Sequence, residues 1–109
     1  MRMNPFDKRQ KTEVHPAADA DIDRQYQWHR DHDCSPSTLH KFLDAIEEAK
    51  AKIGNNPETW SKVSGSSKVR KVQIKSFRMT VFYVIRKNKS PLILEFAGPG
   101  LLPRWADRL

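Results

Sequence analysis

Residues 69–97 read VRKVQIKSFRMTVFYVIRKNKSPLILEFA, and the period of that stretch decides the fold. Over residues 69–75 the chain alternates, with Arg70, Val72 and Ile74 on one face and Lys71, Gln73 and Lys75 on the other. Residues 77–86 are apolar on both faces: Phe77, Met79, Val81, Tyr83 and Ile85 against Arg78, Thr80, Phe82, Val84 and Arg86. A strand apolar on both sides is predicted to be central in its sheet. Lys87-Asn88-Lys89-Ser90 has the length of a hairpin turn, and residues 92–97 return as a third strand. Gly98-Pro99-Gly100 breaks the sheet, and residues 103–109 are predicted to form a short helical turn.

Two helices are predicted ahead of these strands. Pro16 stops a short edge strand at residues 12–15 and opens a helix whose Ala18, Ile22, Tyr26 and His29 make one apolar stripe, with Trp28 off it. Ser35 is an N-cap with Pro36 in the first turn; Leu39, Phe42, Leu43, Ile46, Ala49 and Ile53 then define one helical face. Gly54 is expected to close this helix before Asn55-Asn56-Pro57. The link at residues 32–35 is short enough to predict an antiparallel hairpin. Trp60 is expected to lid that hairpin, and residues 61–68 to form a flexible loop. The order β-α-α-β-β-β predicts an α+β domain, a helical hairpin on one face of a 3–4-stranded antiparallel sheet. Residues 12–109 form this single domain behind a flexible lead-in at residues 1–11.

Charge is divided unevenly. Residues 58–109 hold eleven Lys or Arg against three Asp or Glu, a net of +8, whereas residues 1–57 are net −1. A near-neutral helical half joined to a basic sheet half suggests a surface that meets nucleic acid or an acidic protein segment. No apolar run reaches the roughly 20 residues of a membrane-spanning helix, so no membrane association is expected. The N-terminus lacks the apolar core of a secretion signal, and the single Cys34 cannot form an internal disulfide, which makes the cytoplasm the expected location.

Several strings resemble the RelE/ParE superfamily of toxins from bacterial type II toxin–antitoxin modules. Pro16-Ala17-Ala18 with Asp21-Ile22 is similar to the family's opening helix, and Phe42-Leu43-Asp44-Ala45-Ile46 with Asn56-Pro57 to its second. Val69-Arg70-Lys71, Lys75-Ser76-Phe77 and Val81-Phe82-Tyr83-Val84-Ile85 resemble its strands. Pro103-Arg104-Trp105-Ala106-Asp107-Arg108-Leu109 is similar to the "P-x-x-W-x-x-R" ending of ParE-like members. The resemblance implies a RelE/ParE-like fold and a cytoplasmic growth inhibitor, of the kind that stabilises plasmids, silenced by a cognate antitoxin in a hetero-oligomer. RelE-like members cut mRNA on the ribosome without a metal; ParE-like members poison DNA gyrase.

The chain departs from the nuclease pattern. Thr80 stands where the family has an arginine, although Arg78 lies two residues earlier on the same face, and residues 98–102 carry no charge. Trp105 replaces a C-terminal Tyr or His and cannot transfer a proton. The ParE-like side is therefore favoured; the alternatives are a RelE-like endoribonuclease and a non-toxic basic module that holds nucleic acid. If the chain cuts RNA, Lys71, Lys75 and Arg78 are the candidate catalytic cations for the scissile phosphate. The bland reading of the same face is a solvated sheet edged with lysine against aggregation. Arg70, Arg86, Leu101, Leu102, Arg104, Trp105 and Arg108 are the candidates for target or antitoxin contact, with Trp105 alternatively tucked onto the core. His29, His32 and Cys34 have ligand-like chemistry, but such residues at a helix end more often cap or solvate, so neither metal nor cofactor is expected.

Overall fold

The computed structural model describes residues 12–32, 35–100 and 102–109. The lead-in at residues 1–11, together with Asp33, Cys34 and Leu101, lies outside the described residues. The chain runs β1 (Glu13–Val14), α1 (Pro16–Asp31), α2 (Pro36–Asn55), β2 (Val69–Ile74), β3 (Met79–Val84) and β4 (Leu92–Ala97), an α+β architecture. Short 3-10 turns occupy Lys75–Phe77 and Trp105–Arg108.

Both helices start where their capping chemistry places them. The His15 ring nitrogen Nδ1 accepts from the Ala17 amide at 3.0 Å, and Ser35 Oγ accepts from the Thr38 amide at 3.1 Å. Each helix has Pro in its first turn, where no backbone donor is lost. Gly54 does not end α2: the helix continues to Asn55, and the Asn56 amide still reaches the Lys52 carbonyl at 3.2 Å. The buried stripe of α2 is Phe42, Ile46, Ala49 and Ile53; Leu43, expected inside, is 42% exposed.

The sheet order is β1-β4-β3-β2, with β3 interior as its two apolar faces require. β2, β3 and β4 form an antiparallel meander. β1 instead runs parallel to β4, Glu13 beside Leu92 and Val14 beside Ile93, so the sheet is mixed rather than antiparallel throughout. Both helices and two strands separate β1 from β4, so no hairpin constrains its direction. β2 and β3 are also shorter than the alternation suggests. Lys75–Phe77 winds into the 3-10 turn, and Arg78 takes a left-handed φ of 54°, which reverses the chain between Ile74 and Met79.

The helices cover one sheet face. Ala18 of α1 and the α2 stripe pack against Val72, Ile74, Met79, Val81, Tyr83, Ile93 and Phe96. Each such large apolar side chain contributes about 1.5–3 kcal/mol by leaving water. A second apolar layer lies on the opposite, outer face, where Val63, Val69, Phe82, Val84, Leu94 and Ala97 pack beneath Leu92 and Trp105. Leu94 makes this arrangement possible. It has no register partner between Ile93, opposite Tyr83, and Glu95, opposite Phe82, and this bulge returns Phe96 to the helix side.

Tyr83 closes the helix-side core by donating its hydroxyl to the Pro57 carbonyl. Burial pushes its phenol from 10.0 up to about 12, partly opposed by the Arg70 guanidinium. The folded chain thus resists an ionisation that the unfolded chain undergoes near pH 10. Stability from Tyr83 is complete below pH 10 and declines toward pH 12. Denaturant melts across that range should show the decline, and Tyr83→Phe should flatten it while costing about 1 kcal/mol at neutral pH. An equally steep decline in the variant would remove Tyr83 as its cause.

Candidate functional site

The C-terminal tail is strapped across the outer face and around the β4 edge. The Arg104 amide donates to Glu95 Oε1 at 2.7 Å, the carboxylate itself being only 4% exposed, and Trp105 packs on Phe82 with ring centroids 6.4 Å apart. Arg108 then reaches Asp21 on α1 through two hydrogen bonds, Nη1 to Oδ2 at 2.6 Å and Nη2 to Oδ1 at 3.2 Å. The Asp21 side chain is buried, 3% exposed, and that of Arg108 is nearly so at 10%. Arg24 also donates to Asp21. Hydrogen bonding to Asp21 raises the Arg108 pKa above its ordinary value, against the opposing effect of burial, so the guanidinium stays charged.

Asp21 and Arg108 also finish an unpaired stretch of sheet edge. β1 is too short to cover β4 beyond Ile93, and the backbone from Leu94 to Phe96 turns toward α1. There the Phe96 amide donates to Asp21 Oδ2 at 3.1 Å, Gln25 Nε2 donates to the Phe96 carbonyl at 2.7 Å, and Arg108 Nη1 donates to the Leu94 carbonyl at 3.0 Å. Side chains thus replace a neighbouring strand and close this edge to other chains.

The expected binding residues therefore divide. Arg70, Arg86 and Arg108 are engaged within the chain. Arg70 donates to the carbonyls of Trp60 at 2.7 Å and Glu58 at 3.1 Å. Arg86 holds the Ser90 carbonyl and Glu13, tying the β3–β4 turn to β1. Trp105 is half-buried against the outer layer, the tucked alternative of its two readings. Leu102 and Arg104 are exposed, Leu102 at 86%, and Leu101 lies outside the described residues. Lys71 projects from the outer face with Gln73, whereas Lys75 and Arg78 stand on the turn after β2 rather than on strands. Lys62, Lys68, Lys87, Lys89 and Arg104 join these three as exposed cations of the basic half. None of the eight makes an ion pair among the described residues.

The opposite edge, β2, remains open over its second half. Residues 61–63 pair with its beginning: the Val63 amide donates to the Val69 carbonyl at 2.9 Å, and the Lys71 amide to the Ser61 carbonyl at 3.0 Å. Alternation then turns the Gln73 N–H and C=O outward, and neither has a partner among the described residues. Beside this edge runs a groove of about 710 Å³ between α2 and β2. Its floor includes Ala45, Ala49 and Trp60, and Lys52, Lys71 and Lys75 rim it with Glu48. Trp60, expected as a lid, packs partly on the core and donates from its ring nitrogen to the Lys52 carbonyl at 3.4 Å. A second copy docking antiparallel about Gln73 would bring Lys71 against Lys75, which like-charge repulsion opposes. An extended segment carrying carboxylates suits both the free backbone and the lysines.

Among the described residues, no group of three His, Cys, Asp or Glu is placed to hold a metal ion, and no helix is long and apolar enough to cross a membrane. In comparison with known proteins, no family model and no curated protein matches the chain. Asp21, Gln25 and Glu95 organise the tail and the β4 edge, yet pattern reading singles out none of them for that role. One signal was available for Asp21: it lies three residues after Ala18 on the inward stripe, where a carboxylate demands a cation.

Proposed function

We propose that this chain is the toxin of a type II toxin–antitoxin pair with a RelE/ParE-like topology, a growth inhibitor that acts by binding an essential macromolecule. DNA gyrase is the favoured target, and a cognate antitoxin silences the toxin by docking an acidic, extended segment. The open, lysine-rimmed β2 edge carries this reading. It offers unpaired backbone and fixed positive charge side by side, and it disfavours self-pairing. The sequence resemblance supplies the family; the exposed, unpaired cations supply a surface for an anionic target or partner.

The binding reading is favoured over RNA cutting because the tail offers Lys71, Lys75 and Arg78 no general acid. Trp105 has no proton to transfer in that role and is packed on Phe82, and Arg108 is held by Asp21. Replacing Lys71, Lys75 and Arg78 together by Ala should leave the fold intact, because all three are exposed. Exposed charge contacts are worth up to about 1 kcal/mol each, so target affinity should fall by as much as ~100-fold. Induced cells should then recover growth. Gyrase supercoiling and mRNA integrity measured beside growth separate the mechanisms: loss of supercoiling supports the reading, whereas cut transcripts with intact supercoiling replace it with the RelE-like nuclease. Undiminished arrest by the triple variant would remove these cations from the mechanism.

A further inference from the structure

A second cleft, of about 400 Å³, lies between α1 and the turn that follows β4. Its size falls within the roughly 300–1,000 Å³ typical of small-ligand sites. Trp28, Phe77 and Pro99 line it with apolar surface. Trp28 is 55% exposed but not loose. Its ring stacks on His32, centroids 4.0 Å apart and planes within 14°, and meets His29 edge-on at 5.3 Å. His32 is itself positioned, its Nδ1 lying 2.8 Å from the Trp28 carbonyl. Behind the cleft, Phe77 contacts His29 at 5.4 Å and Phe42 at 5.3 Å, continuous with the core. The aromatic wall is thus ordered before any ligand arrives, which lowers the entropy lost on binding.

The polar groups of the cleft are equally specific. Gln25 spends its Nε2 donor on the Phe96 carbonyl, which fixes the amide and leaves Oε1 as an acceptor beside Gly98. A Cβ at Gly98 would sit 3.4 Å from that oxygen, at the limit of ordinary contact, so a side chain larger than a methyl would crowd it. Arg24 contacts Asp21 while its side chain remains 60% exposed, with further donors directed outward. Lys75 and Arg78 bracket Phe77 on its turn, but neither lines this cleft, and Lys75 rims the groove beside β2 instead, so Arg24 is the cation of the lining. The nearby acid Asp31, one turn beyond Trp28, accepts from Gln27 at 3.2 Å.

We propose that this cleft binds a nucleotide, with its base against Trp28, the base edge on Gln25 Oε1, and its phosphate on the exposed donors of Arg24. An apolar protein side chain would use the wall but leave the fixed acceptor and Arg24 idle. Free phosphate would need no tryptophan. The ligand chemistry is the same whether it comes from a free nucleotide or from an unpaired residue of a strand, and it does not depend on the toxin reading.

Titration calorimetry of the full chain with AMP, UMP and the hexanucleotides of A and U tests the site and its source. Saturable binding by mononucleotides that compete with the hexamers identifies free nucleotide; binding by hexamers alone identifies a strand. In either case Trp28→Ala should weaken binding ~5- to 150-fold, the range for one base stacked on an aromatic ring, and Trp28→Phe should retain most of it. Gly98→Val, which crowds Gln25 without altering Trp28, should also weaken binding and keeps the test valid if Trp28→Ala fails to fold. No saturable binding by any of the four probes, or hexamer binding indifferent to both Trp28→Ala and Gly98→Val, would overturn the proposal.

Discussion

Asp21→Ala is expected to destabilise the domain by about 3–5 kcal/mol, the usual cost of stranding one partner of a buried ion pair. Nearly the whole Arg108 side chain is inaccessible, so its charge would lose its main counterion with little access to water. The Phe96 amide would lose its acceptor at the same time. Domains of this size typically have only about 5–15 kcal/mol in total, and each kcal/mol moves the midpoint by about 4–8 °C, so melting should fall by roughly 12 °C or more. Limited proteolysis should also cut the tail sooner than in the parent chain. Arg108→Met in the Asp21→Ala background should recover part of the loss, because it removes the stranded charge and keeps volume. Additive losses in that double variant would show that the two side chains act independently and that no latch exists.

Gln73→Pro should separate silencing from toxicity. The Gln73 N–H points away from β3, so proline at this edge position removes no ladder hydrogen bond and the domain should stay folded. A docking strand, however, would lose a backbone hydrogen bond and meet the pyrrolidine ring. The expected cost of about 1–3 kcal/mol corresponds to ~5- to 150-fold weaker antitoxin binding, measurable by calorimetry. Lys71→Glu with Lys75→Glu should act in the same direction by charge repulsion, with a loss that diminishes as salt is raised. Cells carrying Gln73→Pro should stay arrested at antitoxin levels that rescue the parent. Unchanged affinity would place the antitoxin elsewhere on the molecule.

Local signals carried much of the fold. Proline and serine marked the helix starts, the 3.6-residue stripe identified Phe42, Ile46, Ala49 and Ile53, and two-sided hydrophobicity placed β3 inside the sheet. Three features depended on tertiary context. The direction of β1 is set by long-range packing, and the Leu94 bulge depends on which β4 residues the tail and α1 require. The 3-10 turn and the left-handed Arg78 take Lys75, Phe77 and Arg78 out of the two strands read at residues 69–75 and 77–86. The candidate site was legible as chemistry but not as geometry. Basic residues could be counted, yet sequence did not reveal that Arg70, Arg86 and Arg108 are occupied internally while Lys71 and Lys75 flank a free backbone edge. The tail motif contained its own explanation only once Asp21 was in place to receive Arg108.

Growth after induced expression, with and without the acidic partner, tests the central claim most directly when the parent chain and Gln73→Pro are run side by side. Arrest by both chains, with the partner rescuing the parent alone, is the predicted result. Normal growth while the folded parent chain accumulates would contradict it.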